Sequence, residues 1–195
     1  MRIIAGTAKG RKLFSVSKKM MVKPISDRMK QSLFDIIRPQ ISGSIFLDLF
    51  AGTGNVGLEA LSINDMKVVF AEREIACIKT IQKNLDNLGF ADRAKVCKCD
   101  ILKGVKFLYN HTDEQGFDII YMGPPYRLAD NRELSLTEPV LKDIAKNELL
   151  ANGGTIICQH HQNEEFKIPK NLELYRTEKY GDTRIDFLKY SKESK

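Results

Sequence analysis

The residue types best suited to chemistry lie in one glycine-rich segment and at three later points along the chain. Residues 48–54 read Asp-Leu-Phe-Ala-Gly-Thr-Gly, and Gly52 and Gly54 permit a tight turn with a ligand close to the backbone. The segment lacks the Gly-Lys-Ser or Gly-Lys-Thr ending of a P-loop and the third glycine of the dinucleotide fingerprint. Glycine-rich turns follow many first strands, so this pattern alone is only a weak indication of a ligand site.

Two acids, Glu72 and Asp100, stand at the ends of the next two predicted strands. An ionised carboxylate only accepts hydrogen bonds, so Glu72 is suited to both hydroxyls of a ribose and Asp100 to the amino group of an adenine. Each acid alone is more typical of a helix cap or a surface charge. Asp48 adds a third acid at a third successive strand end, and this repetition favours a nucleoside site.

The fourth segment, Gly123-Pro124-Pro125-Tyr126, closes the fourth predicted strand. Two prolines fix the backbone and remove two N–H donors, which leaves carbonyl groups to accept hydrogen bonds. The ring of Tyr126 can stack on a base. A rigid turn with a core tyrosine is the alternative interpretation, but the position three strands after the glycine-rich turn favours a functional one.

Alternating strand and helix patterns from residue 44 onward must position these segments. We predict strands at 45–50, 68–71, 95–97, 117–121 and 155–158, and helices at 56–62, 75–88, 101–109 and 141–150, the last ended by Gly153-Gly154. Two runs of period two, 172–177 and 184–190, predict an antiparallel hairpin around Gly181-Asp182. The pattern indicates an α/β fold with a mostly parallel sheet, whose ligands bind at the carboxyl ends of the strands.

Positive charge is concentrated at the start of the chain. Residues 1–40 hold ten basic and two acidic side chains, a net charge of +8, whereas the whole chain carries +6. Gly6 and Gly10 between short apolar pairs predict a hairpin that directs Lys9, Arg11 and Lys12 outward, and a helix capped by Ser26 or Asp27 follows. Such a basic end suggests a polyanionic partner, although a solvated surface explains the charge equally well.

Composition excludes several other classes of protein. With 195 residues, 43% hydrophobic and 29% charged, the chain is typical of one globular domain with a small appendage. It has no apolar run of the roughly 20 residues that a membrane helix needs and no secretory signal, so we expect a cytoplasmic protein. The four cysteines lack the paired spacing of a zinc site, and the three histidines form no ligand set, so we expect no metal.

Together these motifs resemble those of S-adenosylmethionine-dependent amino methyltransferases. Three further segments narrow the resemblance to the bacterial RsmD-type family, which methylates a guanine of 16S ribosomal RNA at N2. They are the start of the chain, Gly57-Leu58-Glu59-Ala60-Leu61-Ser62 and Tyr180-Gly181-Asp182-Thr183. The likeness covers nearly the whole chain. It implies a Rossmann-like class I fold with a seven-stranded sheet, in which a basic RNA-binding extension (1–43) precedes the methyltransferase domain (44–195).

The resemblance also implies roles for individual residues. The methyl group of the donor would face the Pro-Pro-Tyr turn, so the catalytic candidates are Gly123, Pro124, Pro125 and Tyr126. The candidates for binding S-adenosylmethionine are Asp48, Phe50, Ala51, Gly52, Thr53, Gly54, Glu72, Arg73, Asp100 and Ile101. The implied partner is 16S ribosomal RNA within the small subunit, bound by a monomer through Arg2, Lys9, Arg11, Lys12 and Lys23.

The chain departs from the family pattern at Gly123, where the family has an aspartate, and Lys23 and Ile25 replace the usual Arg and Thr. In the family, the aspartate and the carbonyl of the first proline accept hydrogen bonds from the target amine. Losing one such oriented group lowers the rate on the order of 10²–10³-fold. We therefore expect an active RNA guanine-N2 methyltransferase whose rate the missing carboxylate can lower. The alternatives are a DNA adenine-N6 methyltransferase, which also carries a Pro-Pro-Tyr turn, and an inactive protein that binds the cofactor and RNA.

Overall fold

The computed structural model of the chain describes residues 1–16, 25–40, 42–63, 65–112, 115–125 and 134–191. Lys23 and Tyr126, two of the predicted site residues, lie outside these ranges. The chain divides into two units, Met1–Asp100 and Ile101–Lys195. The boundary predicted between an extension and a domain at residue 43 stays a prediction.

The described residues of unit 1 form three parallel strands and three α-helices. Their bounds are α1 Asp27–Ile37, β1 Ile45–Leu49, α2 Asn55–Ile63, β2 Lys67–Glu72, α3 Ile75–Leu88 and β3 Ala94–Lys98. Strand β2 pairs with both β1 and β3. Buried residues such as Leu47, Val69 and Phe70 fill the strand interiors, as expected for a parallel sheet covered on both faces. Ser26 caps α1 by accepting from the backbone N–H of Met29.

In unit 2, four strands and one α-helix lie within the described residues. Their bounds are β4 Phe117–Met122, α4 Thr137–Lys146, β5 Leu150–His161, β6 Leu172–Tyr180 and β7 Thr183–Tyr190. Strands β4 and β5 are parallel, and β7 pairs antiparallel with both β5 and β6. The predicted C-terminal hairpin is therefore confirmed. The seven strands described in the two units are mostly parallel, with antiparallel strands at the C-terminal end, and this confirms the predicted α/β fold class.

One predicted α-helix is absent, and the predicted bounds of another were wrong. The helix expected over 101–109 is replaced by two 3₁₀ helices, Ile101–Lys103 and Lys106–His111, because Gly104 between them has a φ of +117°. Such a backbone conformation interrupts a right-handed helix.

The helix expected over 141–150 instead spans Thr137–Lys146, and Leu150 already belongs to β5. Gly153 and Gly154 do not end a helix. They lie in an irregular stretch of β5, where the pairing with β4 steps from Phe117–Leu150 to Ile119–Thr155. The glycines therefore accommodate a bulge. In the described part of the chain, no helix has the length and apolar character needed to cross a membrane.

Candidate active site

The glycine-rich segment forms the turn between β1 and α2. Phe50, Gly52 and Gly54 all have positive φ, at 59°, 55° and 81°. The Gly54 N–H donates to the Ala51 carbonyl at 2.8 Å, which closes the turn. Gly52 has no side chain, so no Cβ at this position opposes the close approach of a ligand to the backbone.

Glu72, the last residue of β2, holds this turn against the strand ends. Its Oε2 accepts from the Gly52 N–H at 2.7 Å, and its Oε1 accepts from the N–H groups of Arg73 and Glu74, each at 2.8 Å. The residue is 8% exposed. A carboxylate has about four lone-pair positions, so these three N–H groups leave capacity for a ligand hydroxyl. Sequence analysis assigned Glu72 to the ribose, and the structure adds its contacts with the turn.

Asp48 lies inside unit 1, near the end of β1. Its Oδ2 accepts from the Gly57 N–H of α2 at 2.9 Å, and the residue is 1% exposed. Burial raises the pKa of Asp48 to about 7, and the negative charge of Glu72 adds to the rise while the Gly57 hydrogen bond opposes it. Asp48 therefore fixes the start of α2 relative to β1 and so supports the turn between them.

Asp100 follows β3 at the same edge as Glu72. The register pairs Glu72 with Lys98, and the Cys99 N–H donates to the Glu72 carbonyl at 2.9 Å. Unit 1 thus brings the glycine-rich turn, Glu72 and Asp100 to the carboxyl ends of its strands. Of the other predicted donor-site residues, Arg73 is exposed beside Glu74, and Ile101 is buried at the start of unit 2.

The start of the chain is folded onto α2. The Ile3 N–H donates to the Arg11 carbonyl and an isolated antiparallel bridge joins Arg2 and Lys12, so the predicted hairpin is present in minimal form. We call residues 1–16 the basic arm. Gly6 lies directly against α2, because a Cβ at Gly6 would come within 1.7 Å of the Ser62 carbonyl oxygen.

A buried ion pair anchors the basic arm. Lys30 Nζ of α1 lies 2.7 Å from Glu59 Oε2 of α2, and both side chains are fully buried. Glu59 also accepts from the N–H groups of Ile4 and Ala5. Lys30 donates to the Arg2 carbonyl at 2.9 Å and to Asn55 Oδ1 at 3.0 Å. The arm is therefore held by charged hydrogen bonds to the helix that follows the glycine-rich turn.

The predicted RNA-binding side chains of the arm are on its surface. Arg2, Lys9, Arg11 and Lys12 are all exposed. Arg2 also pairs with Asp27 at 3.1 Å, and Arg11 donates to the Asn87 carbonyl at 2.8 Å. Lys30, by contrast, is buried in its ion pair, so not every positive charge near the start of the chain is available to a partner.

In unit 2, the predicted catalytic turn follows β4. Gly123 is half-buried, Pro124 is buried and Pro125 is exposed. Tyr121, two residues earlier on the strand, is 5% exposed, and its hydroxyl donates to Gln159 Oε1 of β5 at 2.7 Å.

Two residues that hold the basic arm, Lys30 and Glu59, were not predicted from the sequence. Lys30 falls at helical spacing with Leu33, Phe34 and Ile37 and so lies on the apolar face of α1. A charged residue at such a position indicates a buried ion pair. Glu59 stands similarly among the apolar residues of α2.

A Rossmann-like sheet with a glycine-rich turn and acidic strand ends defines the class of S-adenosylmethionine-dependent methyltransferases, and the relatives of this chain carry methyltransferase names. The chain belongs to the family described as conserved hypothetical protein 95, whose model matches residues 1–189. This is the RsmD-type family of methyltransferases, as the sequence motifs predicted.

Individual relatives match over nearly their whole length. YlbH of Bacillus subtilis is 32% identical over 192 residues, covering 97% of this chain and 98% of that protein. The ribosomal RNA small subunit methyltransferase D of Haemophilus influenzae is 31% identical over 181 residues, covering 92% and 89%. The solved structure of yhhF from Escherichia coli has a TM-score of 0.78 at 28% identity and covers 97% of both chains.

The methyl donor of this protein is S-adenosylmethionine, and the residues of unit 1 fit it. The side-chain-free backbone at Gly52 suits close approach by its methionine end, and the acceptor-only carboxylates of Glu72 and Asp100 suit its hydroxyl and amino donors. When bound, the donor supplies an electrophilic methyl group on a positively charged sulfur. Within the described residues, no cluster of side chains is suited to a metal ion.

Proposed function

We propose that the protein transfers a methyl group from S-adenosylmethionine to the exocyclic N2 amine of a guanine in 16S ribosomal RNA. Relatives named ribosomal RNA small subunit methyltransferase D support the choice of substrate, and one of these matches covers 99% of this chain, which includes the basic arm. The proposal takes the protein to be a cytoplasmic monomer acting on RNA within the small ribosomal subunit.

The observation that carries this proposal is the anchoring of the basic arm to α2. The arm, held by Lys30 and Glu59, and the glycine-rich turn, which leads into α2, are parts of one folded unit. Exposed cations at Lys9 and Lys12 suit a phosphate backbone, because releasing its counterions favours binding whatever the base sequence. We assign Arg2, Arg11 and Lys23 to the same contact.

Within the proposed site, the chain binds and orients both reactants. Glu72 holds the ribose of the donor and Asp100 its adenine, while the glycine-rich turn, supported by Asp48, holds the methionine end. The exocyclic amine of guanine is a weak nucleophile because its lone pair is delocalised into the ring. A carbonyl oxygen such as that of Pro124 accepts a hydrogen bond from the exocyclic amine and so favours a nucleophilic nitrogen, while Tyr126 stacks on the base.

The experiment that tests this function offers labelled S-adenosylmethionine with three acceptors, namely small ribosomal subunits, naked 16S ribosomal RNA and duplex DNA. We expect label in ribosomal RNA and none in DNA. Label in DNA alone would instead identify a DNA methyltransferase. Donor binding by calorimetry without transfer to any of the three would identify an inactive binding protein.

A further inference from the structure

Phe14, near the end of the basic arm, is a large apolar side chain that the fold leaves in contact with solvent. It is 41% exposed, although phenylalanine is among the residues most often fully buried. Single exposed apolar residues are common on protein surfaces, so exposure alone does not indicate a binding site. The contacts that hold Phe14 in place set it apart.

A buried amide fixes the backbone of Phe14. The Phe14 N–H donates to Asn84 Oδ1 of α3 at 2.8 Å, and Asn84 Nδ2 donates back to the Phe14 carbonyl at 3.1 Å. Asn84 is fully buried, and burying a side-chain amide costs free energy unless its polar atoms are hydrogen-bonded. Both ends of the Asn84 amide thus hold Phe14, and they set the direction in which its side chain leaves the backbone.

A lysine lies against the ring of Phe14. Lys83 Nζ of α3 is 3.9 Å from the ring centroid, which is within range of cation–π attraction. The arm adds positive charge, because residues 1–16 contain four basic residues and no acidic one. An exposed ring among cations is the combination that binds single-stranded nucleic acid, since bases stack on the ring and phosphates meet the cations.

A second exposed aromatic residue beside a lysine, in unit 2, lacks this setting. Tyr175 is also 41% exposed, and Lys189 Nζ lies 5.5 Å from its ring centroid. Lys189, however, is paired with Glu173 at 3.2 Å. An acid already neutralises this cation, so the pair in unit 2 suits a polyanion less well than the pair on the arm.

We propose that Phe14 is a stacking platform for an unpaired base of the RNA substrate, with Lys83 beside it to neutralise an adjacent phosphate. This inference rests on the proposed ribosomal RNA methyltransferase function, and it extends the RNA-binding surface from the basic arm onto α3. The base stacks on the exposed part of the ring. Because every base has a flat face, such a contact selects unpaired over paired RNA rather than one sequence.

Tryptophan fluorescence gives a direct test, because the chain contains no tryptophan. F14W places the only tryptophan of the protein at the proposed platform, and F107W places it instead at a phenylalanine of unit 2 that is also 41% exposed. A base stacked on an indole ring quenches its fluorescence. We expect a short single-stranded RNA to quench F14W and to leave F107W unchanged. Quenching of neither variant, or equal quenching of both, would contradict the proposed platform.

Affinity tests the same contact without a new ring. F14L keeps an apolar side chain, and we expect it to bind short single-stranded RNA roughly 5- to 100-fold more weakly than the wild type. The fully paired duplex of the same sequence offers no free base face, so its affinity should not change. Wild-type affinity of F14L for the single strand, or an equal loss for single strand and duplex, would contradict the platform.

The dependence of binding on salt distinguishes the roles of Phe14 and Lys83. Stacking releases no counterions, so F14L should keep the wild-type slope of log affinity against log salt, whereas K83Q should reduce this slope by about 0.7. An unchanged slope for K83Q would contradict the phosphate contact of Lys83, and a reduced slope for F14L would contradict stacking.

These binding measurements need no methyl transfer, so they separate the inference from the function on which it rests. If the wild type binds single-stranded RNA through Phe14 but transfers no methyl group to ribosomal RNA, the proposed function fails and the platform stands. If the wild type methylates ribosomal RNA and F14L has the same KM for that RNA, the platform is wrong.

Discussion

At the scale of single residues, the proposed binding of S-adenosylmethionine depends on Glu72, which contacts both the glycine-rich turn and the start of α3. We expect E72Q to weaken donor binding by roughly 10- to 100-fold, because an amide replaces a charge-assisted acceptor of three N–H groups. Titration calorimetry measures this change in affinity. E74Q, which changes an exposed neighbour, is the matched control, and equal affinities of the two variants would contradict the assignment.

Asp48 gives a second residue-scale prediction, through pH. Its pKa of about 7 in the folded protein lies above the value of 3.8 for an unperturbed aspartate, because it is buried and close to Glu72. Between these values the folded state keeps a proton that the unfolded state has released, so stability falls as the pH rises through this window. D48N does not titrate and keeps an acceptor for Gly57. Denaturant unfolding at a series of pH values should show that the wild type loses stability relative to D48N from about pH 4 to about pH 7. Parallel plots of unfolding free energy against pH for the two proteins would refute this prediction.

At the scale of elements, the Lys30–Glu59 pair joins α1, α2 and the basic arm. We expect K30M to lower the free energy of unfolding by about 3–5 kcal/mol, because it leaves Glu59 as a buried charge without its ion-pair partner. The control is K142M, whose side chain is 61% exposed beside Glu138 and should cost less than about 1 kcal/mol. Urea denaturation compares the two, and similar decreases would show that the buried pair has no special role.

The sequence predicted the elements whose patterns are local and regular. The strands that lead to the glycine-rich turn, Glu72 and Asp100 could be found because apolar runs alternate with helical periods. The bulge of β5 at Gly153 could not be predicted from the sequence, because it depends on the pairing of β5 with β4. A double glycine is also common at the end of a helix. The hydrogen bond between Tyr121 and Gln159 was equally hidden, since it depends on how β4 and β5 pair.

At the scale of the whole molecule, the basic arm should make RNA binding depend on salt. We expect K9Q/K12Q to weaken binding to 16S ribosomal RNA and to reduce the slope of log affinity against log salt by about 0.7 for each phosphate that is no longer neutralised. The control K170Q/K179Q removes the same charge from exposed positions in unit 2 and should keep the wild-type slope. Filter binding across a salt series measures both, and an unchanged slope for K9Q/K12Q would exclude these lysines from the interface with RNA.

The atom that carries the new methyl group distinguishes the proposed guanine-N2 transfer from every other methylation. After incubation of 16S ribosomal RNA or small subunits with labelled S-adenosylmethionine, the RNA is digested to nucleosides and the labelled product is identified by mass spectrometry. We predict N2-methylguanosine. Label recovered instead as N6-methyladenosine, or on any atom other than the exocyclic nitrogen of guanine, would contradict the account.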